Sequence, residues 1–270
     1  NDILSYVDKI NFKQEGDRVL YIEIKNLRKI YRIGSEKVIA LNHINLSIEK
    51  GEICCILGTS GSGKSTFLNM LAGLEKPTKG EILIGGTDIA KLSEKALAKF
   101  RQLNTGFVFQ SYNLLPSLTA VENVSLPLMF KGISRVTRDK ISEKMLEAVG
   151  LGKRIKHRPN QMSGGQQQRV GIARAFVAKP NVVFADEPTG NLDTKTTAEV
   201  MELMVRMCRK YNQTMILVTH DRDIAKYADR IVHLIDGNID SDITNMSLVP
   251  KEQNEKVSEN IKDNAEEKVI

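Results

Sequence analysis

The sequence predicts an α/β fold built on a parallel sheet, and three observations predict it. An apolar run at residues 53–57 ends in a glycine-rich loop from Gly58 to Ser65 and passes into a helix-like stretch beginning at Thr66. A second apolar run at 181–185 ends in two adjacent carboxylates, Asp186 and Glu187, and a third at 215–219 ends at His220. The first two runs are apolar at almost every position, which reads as strands buried on both faces. Polar groups at the C-terminal ends of such strands lie where open α/β sheets bind their ligands.

Taken in order, residues 20–24 and 40–48 read as strands ahead of the glycine loop, and 80–84 as another that closes at Gly85-Gly86. The loop itself, Gly58-Thr59-Ser60-Gly61-Ser62-Gly63-Lys64-Ser65, fits G-x-x-x-x-G-K-[ST] in its required setting of strand, loop and helix. Its glycines let the backbone turn tightly and present successive N–H groups to phosphate oxygens at a helix N-terminus. Lys64 adds a point charge for β- and γ-phosphates, and the Ser65 hydroxyl is placed to ligate Mg²⁺. From about 111 to 160 the chain is rich in helix formers, as at 141–149, and lacks an alternating strand pattern, which predicts an inserted helical lobe. The α/β core then resumes with a helix after Ser163, the strand 181–185, a helix at 194–210, the strand 215–219, a helix at 224–228 and a hairpin at Asp236-Gly237. No internal repeat is visible.

The chemistry follows from charge. Adjacent carboxylates repel, so Asp186 and Glu187 both stay ionised comfortably only beside a cation, which Mg²⁺ supplies. Asp186 is assigned to the metal's coordination shell, and Glu187 to polarising the attacking water as general base. Ser163-Gly164-Gly165-Gln166 is a second anion site: Ser163 is a good N-cap, and the two glycines expose N–H groups at a helix start. One triphosphate needs only one cradle per chain, so the second one calls for an explanation.

Met162-Ser163-Gly164-Gly165-Gln166 and the helix that follows, lying between the phosphate loop and the acidic pair, resemble the signature motif of ABC transporter ATP-binding subunits, with Met162 in place of leucine. The resemblance implies a P-loop NTPase fold with a RecA-like α/β core, an antiparallel β subdomain and an inserted helical lobe at about 111–165. That domain is expected over 20–245, after a leader at 1–19 and before a charged tail at 246–270. It also implies that two copies pair head to tail, so that Ser163, Gly164, Gly165 and Gln166 of one cover the γ-phosphate of ATP held by residues 58–66 of the other. Gln110 resembles the glutamine that reaches Mg²⁺ and water, Asp193 a residue that faces the other copy, His220 a switch histidine at the γ-phosphate, and Tyr31 an aromatic that stacks on adenine. Residues 107–116, 118–124 and 186–193 are similar to the branch that contains macrolide exporters, lipoprotein-releasing ATPases and antimicrobial-peptide resistance ATPases.

The expected function is thus that of an ATP-hydrolysing subunit that dimerises on ATP and drives an integral membrane permease from the cytoplasmic face, with ATP and Mg²⁺ bound and no nucleic acid. The alternative is an ABC ATPase that regulates a membrane or cell-wall complex without transport. Tyr112, Leu114, Leu115 and Leu118, in the loop after Gln110, are more apolar than a solvated loop requires. They read as a patch for a short permease helix or as packing for the helical lobe.

Composition agrees. At 270 residues and 41% hydrophobic, the chain suffices for one α/β domain with a smaller lobe. No apolar run approaches the roughly 18 residues of a membrane span, so membrane association is expected through a partner. The net charge of +6 is dispersed, with clusters only at 135–144 and 153–158, and reads as solvated helix surface. Cys54, Cys55 and Cys208 suit neither a metal nor a disulfide framework and read as packing residues in a reducing cytosol. Ile3, Val7 and Ile10 have helical spacing in a docking helix or a poorly ordered leader, and an initial Asn predicts a processed or trimmed chain. An excess of lysine over arginine, with frequent Ile and Asn, suggests an AT-rich genome and tilts the substrate toward peptide antibiotics.

Overall fold

The computed structural model describes residues 19–245, so the expectations for a leading helix and a charged tail lie outside the described residues. The chain opens with a hairpin of two long strands, β1 (Leu20–Ile33) and β2 (Glu36–Glu49), then β3 (Ile53–Leu57), α1 (Lys64–Leu71), β4 (Lys79–Ile84) and β5 (Thr87–Asp88). Next come α2 (Glu94–Asn104), β6 (Thr105–Phe109), α3 (Ala120–Phe130), α4 (Arg135–Ala148) and α5 (Gly164–Val177). The last part holds β7 (Val182–Asp186), α6 (Thr194–Tyr211), β8 (Thr214–Thr219), α7 (Arg222–Ala225), β9 (Arg230–Ile235) and β10 (Asn238–Thr244).

Two sheets result. One is antiparallel in the order β2-β1-β4-β5; the other has the order β10-β9-β3-β8-β7-β6, parallel except for the β9–β10 hairpin. Strand alternation sends the side chains of the parallel sheet into two cores. Cys55, Leu57, Val183, Ala185 and Leu217 pack with α3 to α6, whereas Cys54, Ile56, Phe184, Ile216 and Val218 pack with α1 and the antiparallel sheet. Both faces of β3, β7 and β8 are therefore covered, which is why their sequences are apolar without interruption. The consecutive cysteines point to opposite cores, and all three cysteines are buried and unpaired, with burial pushing the Cys55 thiol up to about 12.

Four elements differ from the expectation. β1 and β2 run well past 20–24 and 40–48, because backbone pairing continues through the charged stretch to Ile33↔Glu36 although only part of the hairpin buries side chains. α2 lies outside the expected elements: Leu97 is buried and Phe100 packs beside it, and Ser93 caps the helix by accepting from the Ala96 N–H at 3.3 Å. The helix expected at 224–228 is instead the short α7, which tightens at once into i→i−3 bonds from Tyr227 to Ile224 and from Ala228 to Ala225.

One turn reaches toward the glycine loop. Asp236 and Gly237 both take positive φ, 46° and 75°, as a two-residue hairpin requires. The Gly237 N–H donates to the Ser62 carbonyl at 3.0 Å, and the Gly237 carbonyl accepts from Asn42 at 2.8 Å. The β9–β10 turn thereby braces the glycine loop from behind.

Candidate functional site

The loop between β3 and α1 is set by close approach. Gly63 has φ 101° and precedes α1 directly, and a Cβ there would lie 2.5 Å from the Ala40 carbonyl oxygen. Only glycine fits, and the result is a helix N-terminus open to a broad hollow of about 880 Å³. The hollow is lined by Gly58, Thr59, Ser60, Gly61, Gly63, Lys64, Ser65 and Thr66 from this loop, with Gln110, Asp186, Glu187 and His220 opposite. Lys64 is buried, and its Nζ donates to the Thr59 carbonyl at 2.7 Å. Ser62 Oγ is buried and finds no hydrogen-bond partner among the described residues.

The acidic corner is built by β7 and β8 lying side by side. Asp186 closes β7; its Oδ1 is buried with no partner among the described residues, and its carboxyl is pushed up by burial first and by Glu187 second, against the pull of Lys64. Such a group is stabilised by a cation. Among the described residues no three of His, Cys, Asp or Glu converge as a metal cage. The donors present, Asp186 with Ser65 and Gln110 around the same hollow, suit an ion that keeps phosphate and water oxygens in its shell, as Mg²⁺ does. Glu187 sits at φ 46°, an unusual value for a non-glycine residue, held by its N–H to the Val218 carbonyl at 3.0 Å and by the Gly190 N–H to its own carbonyl at 3.1 Å. That conformation turns its side chain to His220, whose Nδ1 is 2.8 Å from Glu187 Oε1.

Ser163, Gly164, Gly165 and Gln166 lie elsewhere. Ser163 Oγ accepts from the Gln166 N–H while Gln166 Oε1 accepts from the Ser163 N–H at 3.2 Å, a reciprocal cap on α5. These residues line a separate hollow of about 320 Å³ together with Asn191, Leu192, Asp193 and Thr196. Asp193 caps α6 by accepting from the Thr196 N–H at 3.0 Å and hydroxyl at 2.7 Å. The two hollows share no lining residue. The structure thus joins Gln110, Asp186, Glu187 and His220 to the glycine loop, and Asp193 to Ser163, but it does not bring these two groups together.

Tyr31 stands on β1 opposite Val38, which lines the larger hollow with Ile39, so the candidate stacking ring is at the rim instead of on the wall.

Two residues that sequence reasoning missed hold the segments that carry these side chains to α5. Gln168 is fully buried on α5; its Nε2 donates to the Pro188 carbonyl and, at 3.3 Å, to that of Phe109. It therefore fastens the segments that carry Glu187 and Gln110 to one helix. Arg174, one and a half turns on, donates to the carbonyls of Tyr112 and Asn113, whose φ values of 59° and 48° are both left-handed. The Tyr112 hydroxyl in turn lies 2.8 Å from where a Cβ on Gly164 would be. On the far side, the Gln110 carbonyl accepts from Asn191 at 3.0 Å, and its amide packs where a Cβ on Gly190 would be. A polar residue at 168, on the same helical stripe as Ile172 and Ala175, was the one readable signal.

Comparison with known proteins gives a consistent result. The family described as ABC transporter matches residues 41–190. The chain is 45% identical over 221 residues to the lipoprotein-releasing system ATP-binding protein LolD of Geobacter metallireducens, covering 82% of this chain and 98% of that one. It is 45% identical over 224 residues to the macrolide export ATP-binding/permease protein MacB of Rhodopirellula baltica, which spans 82% of this chain but 33% of that longer one. Among solved structures, the ATP-binding cassette MJ0796, in a dimeric post-hydrolysis state bound to ADP and Pi, superposes with a TM-score of 0.77 at 42% identity, covering 83% of this chain and 98% of that one.

Proposed function

This chain belongs to the ABC transporter family, and from that premise we propose that it is the ATP-hydrolysing subunit of a membrane export or extraction system, active as a head-to-tail homodimer. The observation that carries this reading is the separation of the two hollows: residues 58–66 and residues 163–166 each form an anion-receiving helix start, yet no residue lines both. In the proposed dimer a two-fold axis would set the Ser163 hollow of one copy over the Lys64 hollow of the other, twice, as an isologous contact requires. Among the described residues no helix is long and apolar enough to cross a membrane, so the reading places the chain at the cytoplasmic face through a permease partner.

The residues have distinct tasks in this reading. The backbone N–H groups of the glycine loop cradle the phosphates, and Lys64 exchanges the Thr59 carbonyl for β- and γ-phosphate oxygens. A magnesium ion fits the corner of Ser65, Asp186 and Gln110, where it would neutralise charge that grows on the phosphate oxygens. Glu187 accepts the proton of the attacking water as its oxygen bonds to the γ-phosphorus and the bond to the leaving ADP oxygen breaks. His220 fixes Glu187 beside the γ-phosphate. Ser163 and the N–H groups of Gly164 and Gly165 from the second copy stabilise the γ-phosphate charge. Likeness to MacB and LolD supports a substrate that leaves or is lifted from the membrane, with antibiotics as one class.

Complementation tests the dimer. Lys64→Ala chains and Ser163→Arg chains are each expected to be inactive alone. Mixed one to one, half of the dimers are heterodimers with one interface carrying both defects and one carrying neither, so activity returns to about a quarter of the parental value. No recovery where heterodimers demonstrably form overturns the composite site.

A further inference from the structure

The rim of the larger hollow holds an ordered cluster that the hydrolytic chemistry does not use. The Tyr31 hydroxyl donates to Glu75 Oε2 at 2.7 Å. Glu75 Oε1 is 2.8 Å from Lys29 Nζ, and that ammonium also donates to the Lys76 carbonyl at 2.8 Å and stands 5.1 Å from the centre of the Tyr31 ring. The backbone beneath is pinned as well, because the Ile30 N–H donates to Thr78 Oγ1 at 3.0 Å. Glu75 follows α1 closely, its N–H bonded to the Asn69 carbonyl at 3.2 Å, so the helix that starts at the glycine loop is linked at its other end to the Tyr31 ring.

We propose that Glu75 and Lys29 are positioning residues for the nucleotide base: Glu75 fixes the Tyr31 hydroxyl, Lys29 covers one face of the ring, and the other face is left as a pre-set platform for a flat purine. The proposal rests on the reading of Tyr31 as the base-stacking aromatic and extends it to the residues that orient the ring. The physical reason is preorganisation. A tyrosine free to rotate on an exposed strand must be ordered when a base stacks on it, and that ordering weakens binding; one already tied by its hydroxyl and blocked on one face has less freedom to lose. The ammonium over the ring is attracted by its quadrupole, which holds the ring against rotation about the strand. Val38 and Ile39, exposed on the paired strand and lining the hollow, offer apolar contact to the same ligand without fixing its orientation.

The experiment measures KM for ATP and kcat, together with the affinity of inorganic tripolyphosphate in competition with a fluorescent ATP analogue, for Glu75→Ala, Lys29→Met, Tyr31→Phe, Tyr31→Ala and the double variant Tyr31→Phe/Glu75→Ala. Glu75→Ala and Tyr31→Phe are each expected to raise KM on the order of three- to tenfold, with the change confined to KM and tripolyphosphate bound as by the parent. The effect of the double variant should fall short of the product of the two single effects, since both changes remove the Tyr31–Glu75 contact. If Tyr31→Ala raises KM but Glu75→Ala and Lys29→Met do not, the positioning proposal fails while base stacking stands. Multiplicative effects in the double variant, or a parallel loss of tripolyphosphate affinity, also overturn it, the latter by showing damage to the loop. If Tyr31→Ala leaves KM unchanged, the stacking reading fails and this proposal with it.

Discussion

Glu187 Oε1 and His220 Nδ1 meet at 2.8 Å across the C-terminal ends of two neighbouring parallel strands, although the residues are 33 apart in sequence. The contact depends on the left-handed backbone of Glu187, so the side chain that best suits a general base is also the one with an unusual conformation. Glu187→Gln keeps the shape and removes the base. Its kcat is expected to fall by about two orders of magnitude or more while ATP still binds, and an ATP-dependent dimer should accumulate in size-exclusion chromatography. Hydrolysis at the parental rate would show that another group takes the proton.

Asp186 carries a stability cost. Its carboxyl is raised by burial and then by Glu187, so the folded chain retains this proton to higher pH than the unfolded chain does. Its contribution therefore falls as pH rises through the window above the ordinary carboxylate value, and is least favourable at neutrality. Asp186→Asn should melt at the same temperature as the parent or higher in nucleotide-free buffer at pH 7, yet gain little from MgATP. A lower melting temperature without nucleotide would assign Asp186 a structural role instead.

The loop after Gln110 divides its apolar residues. Leu114 packs against the helical core, whereas Leu115 is 47% exposed, with its backbone tied on both sides to the buried Asn123. Leu115→Glu is thus expected to fold and bind ATP like the parent but to lose permease-stimulated ATPase and permease capture. Retention of both under the same conditions moves the docking surface away from this loop.

Gln168 is fully buried and its amide donates to two backbone carbonyls. Gln168→Leu leaves the Phe109 and Pro188 carbonyls without this donor, and the expected cost is about 1–3 kcal/mol in urea unfolding. Since those carbonyls flank Gln110 and Glu187, kcat should fall as well. Parental stability would mean that the carbonyls find other donors.

The strands that feed the site were legible in the sequence because double-sided burial removes alternation, and the glycine loop because close approach to Ala40 leaves one residue type at Gly63. The order of Gln110, Ser163, Asp186 and His220 was legible as motif. Arg174 was not, and Gln168 showed only as a polar residue on an apolar stripe: their partners are backbone carbonyls, which the side-chain sequence does not name. α2 escaped although Leu97 and Phe100 have helical spacing, of which only Leu97 is fully buried. The Glu75 contact escaped because it joins positions 44 residues apart through a loop.

The absence of any shared lining residue between the Lys64 and Ser163 hollows has a consequence for inheritance. In the proposed composite dimer a lesion at Ser163 would spare the site of the chain that carries it and disable that of its neighbour. In a cell that makes intact and altered chains in equal amounts and pairs them at random, about a quarter of the dimers escape the lesion altogether. With two independent sites the half-active heterodimers make up the difference and the normal allele's output is unchanged, whereas sites that must act together would let the altered allele cut that output to about half.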